Sequence, residues 1–262
     1  MDLGLTGKSA LVTGGSKGIG LAAAVSLAGE GCNLHLAART AADLEQAKAS
    51  IQRAHKVQVT CHVRDLAQHA ECVALARACA DVDILINNAG AIPGGSLRNL
   101  DDTAWRKGWE LKLFGYISLT REIYTRMCER KSGTIINVIG SAGERPNAGY
   151  IAGTMANAGL MAFTRALGAE APDNGIRVVG VNPGKTATER QINLARDAAR
   201  EKFGDANRYP EILKVADANL PYGRSARPDE LGDVIAFLCS ARASYVNGTI
   251  VTVDGGNSLR SR

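Results

Sequence analysis

Short apolar runs rich in β-branched residues alternate along the chain with longer stretches of helical pattern. Seven such runs stand near SALVTG, NLHLAA, QVTCHV, DILINN, TIINVIG, IRVVGVN and TIVTVDGG. The intervening helices are predicted to start near Ile19, Ala42, Ala67, Asp102, Ala148 and Pro228. Repeated β-α units build a parallel sheet that carries helices on both faces. The pattern therefore predicts an α/β fold, a single doubly wound domain around a parallel seven-stranded sheet.

The chain, residues 1–262, is predicted to form one domain, since no repeat or low-complexity linker divides it. The long interruption is the segment 186–222, which is charged, partly helical in pattern and inserted between the last two strands. A mobile substrate flap over a site and an ordinary helical insertion on the surface both fit this composition.

Composition and charge argue against several classes of function. The 31 basic and 26 acidic residues are scattered, giving a formal charge of +5 without the basic run of a nucleic-acid-binding protein. No apolar stretch approaches the roughly 20 residues that span a bilayer. The six cysteines form no CxxC pair, and the first residues lack the pattern of a signal peptide. We predict a cytoplasmic protein with reduced thiols that binds no nucleic acid, membrane or metal.

A glycine-rich stretch, TGGSKGIG at residues 13–20, lies directly after the first predicted strand and before the first helix. Small residues there let the backbone approach a pyrophosphate, and the helix directs its positive end toward it. The alternative is a glycine-rich turn at a strand-to-helix junction. The first interpretation predicts a Rossmann-type domain. Its cofactor-binding loop contains Gly14, Ser16, Lys17, Gly18, Ile19 and Gly20.

The end of the second strand predicts which dinucleotide is bound. Ala38 stands where an acid would receive the ribose 2′-hydroxyl of NAD, and Arg39 follows it. A cation without a carboxylate favours a 2′-phosphate, and Lys17 lies within reach of the same group. We therefore predict NADP(H) as the cofactor. Asp65, beside Leu66 after the third strand, is placed at the adenine, with a solvated helix cap as the alternative for Asp65.

Three further motifs follow the glycine loop: NNAG at 87–90, NPG at 182–184 and VDGG at 253–256. Each alone is common loop punctuation. Together, in this order and spacing, they resemble the short-chain dehydrogenase/reductase family from about residue 5 to 257. The resemblance implies a small-molecule substrate and a homodimer or homotetramer. It also places at the cofactor Asn87, Ala89, Gly90, Pro183, Gly184, Thr186 and Thr188.

The catalytic positions do not follow the family pattern. Members usually carry an Asn, a Ser, a Tyr and a Lys, the last two spaced Y-x-x-x-K. Aligned through the flanking motifs, these positions fall on Lys112, Gly140, Gly153 and Asn157. All four therefore depart from the pattern that the resemblance implies, while the cofactor motifs remain intact.

Two features predict a rearranged site. Lys112 and Asn157 look like an exchange of the usual Asn and Lys, and Tyr150 stands one helical turn before Gly153, as in the family's enoyl reductases. We predict that Tyr150 is the proton donor and that the charge of Lys112 assists it. Ser141 is a further candidate if its loop turns inward. The alternatives are a packing role for Tyr150, a solvent-facing Lys112 and a loop role for Ser141.

The resulting prediction is an NADP(H)-dependent reductase that transfers hydride between the nicotinamide and a carbonyl, an alcohol or a conjugated enone. A non-catalytic NADP(H)-binding protein and a nonredox lyase or hydrolase are the alternatives. Intact nicotinamide-side motifs favour the reductase. Lys185 adds a positive charge near the reactive end, either toward a ligand or as a solvated loop residue, and Glu144 and Arg145 lie where the family places substrate-facing residues.

Overall fold

A computed structural model describes residues 2–260, so that Met1, Ser261 and Arg262 of the predicted domain lie outside the described residues. All seven predicted strands are present and pair in parallel in the order β3-β2-β1-β4-β5-β6-β7. The strands are β1 Ser9–Thr13, β2 Asn33–Ala38, β3 Val59–Val63, β4 Ile84–Asn87, β5 Gly133–Val138, β6 Ile176–Pro183 and β7 Ile250–Val253. The predicted parallel seven-stranded sheet is confirmed.

Helices cover both faces of this sheet. They are α1 Gly18–Gly29, α2 Ala41–Ala54, α3 His69–Ala78, α4 Asp102–Trp109, α5 Gly115–Arg130, α6 Ile151–Glu170, α7 Glu189–Phe203, α8 Tyr209–Ala218 and α9 Pro228–Cys239. Helices α1 and α9 pack on one face and α3 and α5 on the other. Strand β1 contributes to the hydrophobic cores on both faces of the sheet. Val12 packs in the core under α1 and α9, and Leu11 packs in the core under α3 and α5.

Two helices begin later than predicted, and the same kind of turn delays both. Before α6, the side-chain oxygen of Asn147 accepts a hydrogen bond from the Gly149 amide at 2.8 Å. Before α3, the Asp65 carboxylate accepts from the Ala67 amide at 3.2 Å. Asn and Asp side chains that bond the backbone two residues on compete with helix formation. The chain therefore turns once before each helix starts.

The segment 186–222 is a helical hairpin of α7 and α8 inserted between β6 and β7. Its base is closed by main-chain hydrogen bonds from Ala187 to the Ala226 carbonyl, 2.8 Å, and from Ala226 to the Lys185 carbonyl, 2.9 Å. These bonds join the segment before α7 to the segment before α9 and hold the base of the hairpin together.

The remaining general expectations concern thiols and membranes. All six cysteines are free, and burial raises the pKa of the Cys32 thiol to about 12. Every helix within residues 2–260 is too short or too polar to serve as a membrane span.

Candidate active site

The site lies at the carboxyl ends of β1 and β4, where the strand order reverses. In doubly wound sheets ligands bind in the crevice at such a switch point. The glycine loop follows β1 and the NNAG motif follows β4, so the topology brings these two motifs together.

The glycines of the loop leave its backbone without side chains where a ligand can approach. Gly14 and Gly18 have φ values of +64° and +57°, in the left-handed region that favours glycine. A Cβ on Gly20 would overlap the carbonyl of Gly14 and the amide of Asn88. The Asn88 amide donates to the carbonyls of Thr13, 3.0 Å, and Gly14, 3.3 Å, and this holds the loop against the end of β4. The arrangement fits the approach of a pyrophosphate to the start of α1.

Within the NNAG motif the Asn87 side chain points into the protein, and the placement of Asn87 at the cofactor stays a prediction. Asn87 is 1% exposed, and its amide donates to Thr120 and to Asn137 at 2.9 Å each. It joins β4 to its neighbours inside the protein because a buried amide needs such partners. Asn88 contacts the glycine loop instead, and the Ala89 amide donates to the Thr13 hydroxyl at 3.1 Å.

Arg39 and Lys17, the two cations predicted at the adenosine end of the cofactor, have different surroundings. Arg39 is exposed directly beyond β2, where a 2′-phosphate is predicted. Lys17 already forms ion pairs with Asp43, 3.1 Å, and Glu189, 3.2 Å, which raise its pKa. The charge of Lys17 links the glycine loop to α2 and α7, whereas Arg39 is exposed beyond β2; the role of each at a 2′-phosphate stays a prediction.

Other predicted cofactor contacts offer main-chain groups more than side chains. The Leu66 side chain is buried in the core, and Ile19 packs partly against the core on the other face. The Asp65 carboxylate accepts from the Ala67 amide in a local turn before α3, whose N-cap is Gln68, so Asp65 is not the helix cap of the alternative prediction. Ser16 is half-buried in the glycine loop.

The chain after β6 forms the opposite wall of the cleft. Pro183 ends the strand, and Gly184 follows with its amide bonded to the Val253 carbonyl at 3.0 Å. The Thr186 hydroxyl donates to the Gly184 carbonyl at 3.1 Å, so that side chain braces the turn. Thr188 lies within contact range of Gly18. The base of the hairpin therefore faces the glycine loop across the predicted cofactor cleft.

Lys112 is buried beneath this cleft. It lies in the π-helical turn Glu110–Phe114 and is 8% exposed. Its ammonium donates to the Val138 carbonyl at 2.7 Å and to the Tyr116 hydroxyl at 3.1 Å, and its stem packs on Gly90. The Tyr116 hydroxyl itself donates to the Val138 carbonyl at 2.9 Å. The alternative of a solvent-facing Lys112 is therefore wrong.

Burial also changes the chemistry of Lys112. Burial, together with a smaller effect of the Arg190 charge, lowers the pKa of the amine to about 7. Near neutral pH both the ammonium and the neutral amine of Lys112 are therefore populated, whereas an exposed lysine is almost entirely in the ammonium form.

Tyr150 caps the N-terminus of α6, and its ring lies against Gly153. A Cβ on Gly153 would overlap the ring, so the phenol occupies the space that a side chain from position 153 would enter. Burial raises the pKa of the Tyr150 phenol, and the nearby Arg190 guanidinium opposes part of that rise. At neutral pH the phenol is therefore protonated and available as a donor.

Two buried amides surround the loop after β5. Gly140 has φ of +140°, and the Asn157 side-chain nitrogen lies against it. The Asn182 side-chain oxygen accepts from the Gly140 amide at 3.3 Å. Within residues 2–260, Asn157 Oδ1 and Asn182 Nδ2 are buried without a hydrogen-bond partner. Buried polar atoms normally have one, so this acceptor and this donor mark a place where a bound group fits.

Ser141 belongs to the short helical turn that follows Gly140. Its main-chain carbonyl accepts from the amides of Glu144, 3.0 Å, and Arg145, 3.1 Å. These are main-chain contacts, so the role of the Ser141 hydroxyl stays a prediction.

Arg190, at the start of α7, is a site residue that the sequence analysis missed. Its guanidinium donates to the carbonyls of Gly90 and Ile92 at 2.9 Å each. The same charge acts on Tyr150 and on Lys112. No sequence signal distinguished it, because it is one of several basic residues in a charged helix. The hairpin thus adds a cation to the centre formed by Tyr150 and Lys112.

A comparison with protein families agrees with this architecture. The family model described as short chain dehydrogenase matches residues 8–199. The chain belongs to the short-chain dehydrogenase family.

Similar proteins in this family extend over nearly the whole chain. The chain is 29% identical to 2,3-dihydro-2,3-dihydroxybenzoate dehydrogenase of Bacillus subtilis (strain 168), covering 98% of each protein. It is 34% identical to galactitol 2-dehydrogenase (L-tagatose-forming) of Cereibacter sphaeroides, covering 97% of this chain and 96% of that protein. The structure of L-sorbose reductase from Gluconobacter frateurii, complexed with NADPH and L-sorbose, matches with a TM-score of 0.92, 32% identity and full coverage of both chains. These relatives are named as dehydrogenases or reductases, which establishes the oxidoreductase class of the family.

Proposed function

We propose that this short-chain dehydrogenase is an NADP(H)-dependent oxidoreductase acting on a carbonyl and alcohol pair or a conjugated enone, with a rearranged proton donor. The observation that carries the proposal is the position of the Tyr150 ring over Gly153. A phenol reaches the usual tyrosine space from one helical turn away. Lys112 lies buried beneath the cleft.

The residues present fit a dinucleotide. The bare glycine loop fits the pyrophosphate, the exposed Arg39 the 2′-phosphate, and the unpartnered oxygen of Asn157 a hydroxyl of the bound cofactor. The NADPH complex of the similar L-sorbose reductase supports the choice of NADP(H). When bound, the cofactor supplies or takes up the hydride.

The protein's own residues manage the proton. Tyr150 donates its phenolic proton to the reacting oxygen, and the phenolate that remains is stabilised by the positive charges of Lys112 and Arg190. In the structure Lys112 bonds to Val138 and Tyr116 and not to Tyr150, so its contribution is through its field. The segment 186–222 acts as the substrate flap in this proposal, because it delivers Arg190. A homodimer or homotetramer is proposed from the family resemblance.

The cofactor assignment predicts the effect of replacing Arg39. Arg39→Gln is expected to weaken NADPH binding by about 10- to 100-fold, because a charge-assisted contact to the 2′-phosphate is lost. NADH binding should stay nearly constant. Fluorescence titration of both cofactors measures this, with Arg53→Gln at the far end of α2 as the matched control. Tighter binding of NADH than of NADPH to the unaltered protein would contradict the assignment.

The position of the ring predicts the effect of a single methyl group. Gly153→Ala should displace the Tyr150 ring and lower turnover by at least about 10-fold, while alanine maintains or improves the helix. Gly159→Ala in the same helix is the control, since its added Cβ meets only an ordinary contact at 3.7 Å. Turnover and thermal unfolding are measured for both variants. Full activity in Gly153→Ala would show that the position of the Tyr150 ring over Gly153 is not required for turnover.

The proposed activity is tested by following NADPH oxidation and product formation against a panel of ketones, aldehydes and enones. Turnover with one of these classes is expected and identifies the acceptor. Binding of NADPH without turnover of any class would favour a cofactor-binding protein. Product formation without net change in NADPH would favour nonredox chemistry.

A further inference from the structure

A polar cavity of about 530 Å³ lies between the loop after β5, the chain after β6, helix α8 and the C-terminal segment. Arg145, Lys185 and Arg260 contribute three cations to its wall, and Asn219 and Asn257 contribute two amides. No acidic side chain is among the lining residues that the structure describes. The cavity therefore carries an uncompensated positive charge.

The cation of Arg145 is held in place without a carboxylate. Its guanidinium donates to the main-chain carbonyls of Asn257 and Arg260. The neighbouring acids are engaged elsewhere, since the carboxylates of Glu144 and Asp217 accept from hydroxyl groups outside the cavity wall. Carbonyl partners orient a guanidinium but leave its charge in place for a ligand.

The cavity adjoins the proposed catalytic centre through two chain segments. Arg145 lies in the same loop as Tyr150, between β5 and α6. Lys185 is exposed and directly follows Gly184, on the wall that faces the cofactor cleft. The chain thus connects the cations of the cavity wall to the loop of Tyr150 on one side and to the cofactor cleft on the other.

We propose that the substrate carries an oxyanion, a carboxylate or a phosphate, which binds between Arg145 and Lys185 while its carbonyl group faces Tyr150. The carbonyl half of this statement rests on the proposed function, whereas the anion site does not require turnover. Cations without nearby acids attract and orient such a group, and a planar guanidinium matches a carboxylate or phosphate in two-point contact.

Matched substrate pairs test the proposal in turnover. A keto acid is compared with its neutral methyl ester, and a keto phosphate with its dephosphorylated form. The anionic member is expected to have at least about 10-fold higher kcat/KM, and that ratio should fall toward one in Arg145→Gln/Lys185→Gln. Lys48→Gln/Arg53→Gln on α2 is the charge-matched control. Equal kcat/KM for charged and neutral members would overturn the anion site and leave the oxidoreductase standing.

Calorimetric binding of malonate and of inorganic phosphate, with the nucleotide site saturated by NADP⁺, separates the anion site from the reaction. Binding that is lost in Arg145→Gln/Lys185→Gln is expected, and the probe with the lower Kd distinguishes a carboxylate from a phosphate. Binding without any turnover would support the site while the proposed reaction fails. Absence of binding by both probes, or binding unchanged in the double variant, would overturn the site.

A separate cluster lies at the edge of the sheet, where three residues from distant parts of the chain converge. His35 on β2, His62 on β3 and Cys79 after α3 bring their ligating atoms within 4.8 Å of one another. His35 Nδ1 is 3.0 Å from His62 Nε2, which is 3.5 Å from Cys79 Sγ. Around a tetrahedral zinc ion, with Zn–N of about 2.0–2.1 Å and Zn–S of about 2.3 Å, ligand atoms stand roughly 3.3–3.6 Å apart. The two short separations lie near this range, and the third pair of atoms has to approach for all three to bind one ion.

We infer that this cluster binds Zn²⁺ through the two imidazoles and the thiolate, with water as the fourth ligand. Binding the metal releases the thiol proton of Cys79 to solvent. Spread over three segments, the ligands have no sequence spacing that predicts such a site.

Titration of the metal-free full chain with Co²⁺, followed by displacement with Zn²⁺, tests this inference. A thiolate-to-cobalt charge-transfer band that saturates at one ion per chain is expected. It should disappear in Cys79→Ser and in His62→Ala but persist in Cys128→Ser. Absence of the band in the unaltered protein, or its persistence in Cys79→Ser, would overturn the site.

Discussion

Replacing Tyr150 with phenylalanine is expected to lower turnover by at least about 100-fold, because the substitution removes the proton that the reacting oxygen takes up. The ring remains, so its packing on Gly153 and the fold of α6 are preserved. NADPH affinity should change little, since no cofactor contact is assigned to the phenol. Steady-state kinetics and a cofactor titration on the same preparation separate the two quantities.

Two other tyrosines make this test specific. Tyr124→Phe is the control, because the Tyr124 hydroxyl on α5 donates to Glu170 at the end of α6 in an exposed position. Tyr116→Phe tests a rival donor, although the Tyr116 hydroxyl is committed to the Val138 carbonyl. Turnover like that of the unaltered enzyme in Tyr150→Phe, with a loss in Tyr116→Phe, would transfer the acid role to Tyr116.

The fold could be predicted well because each strand has a recognisable local sequence pattern. Runs of four to eight residues rich in β-branched side chains and bounded by loop residues indicate strands. When helices separate such strands, a parallel sheet with helices on both faces is the expected arrangement. The glycine loop was equally predictable, since positive φ at Gly14 and close packing at Gly20 exclude other residues. Both features depend on residues near one another in the chain.

The candidate site was less predictable because its contacts are distant in sequence. Nothing local shows that Lys17 finds carboxylates on two other helices, or that Arg190 returns from the hairpin to the end of β4. The inward direction of Lys112 was predicted only through its pairing with Asn157. Side-chain direction depends on the π-helical turn, which the apolar pattern did not indicate.

The buried ammonium of Lys112 lowers the free energy of unfolding. This effect on stability can be measured independently of activity. Burial lowers the pKa of the amine from its ordinary 10.5 to about 7. Below about pH 7 the charged amine is buried in the folded state, so the full penalty applies. Between that pH and 10.5 the unfolded chain binds a proton that the folded chain lacks, and the free energy of unfolding rises with pH by up to about 1.4 kcal/mol per unit.

Lys112→Met should therefore raise stability while it lowers activity. A methionine of similar length removes the buried charge, and the Val138 carbonyl keeps its bond from Tyr116. At pH 6 we expect the variant to be more stable by about 1–3 kcal/mol, an advantage that shrinks toward pH 10, with turnover reduced at least about 10-fold. Denaturant unfolding at both pH values and steady-state kinetics measure this, with the exposed Lys107→Met as control. A variant destabilised equally at pH 6 and pH 10 would show that Lys112 stabilises the fold and is not a charge retained for the reaction.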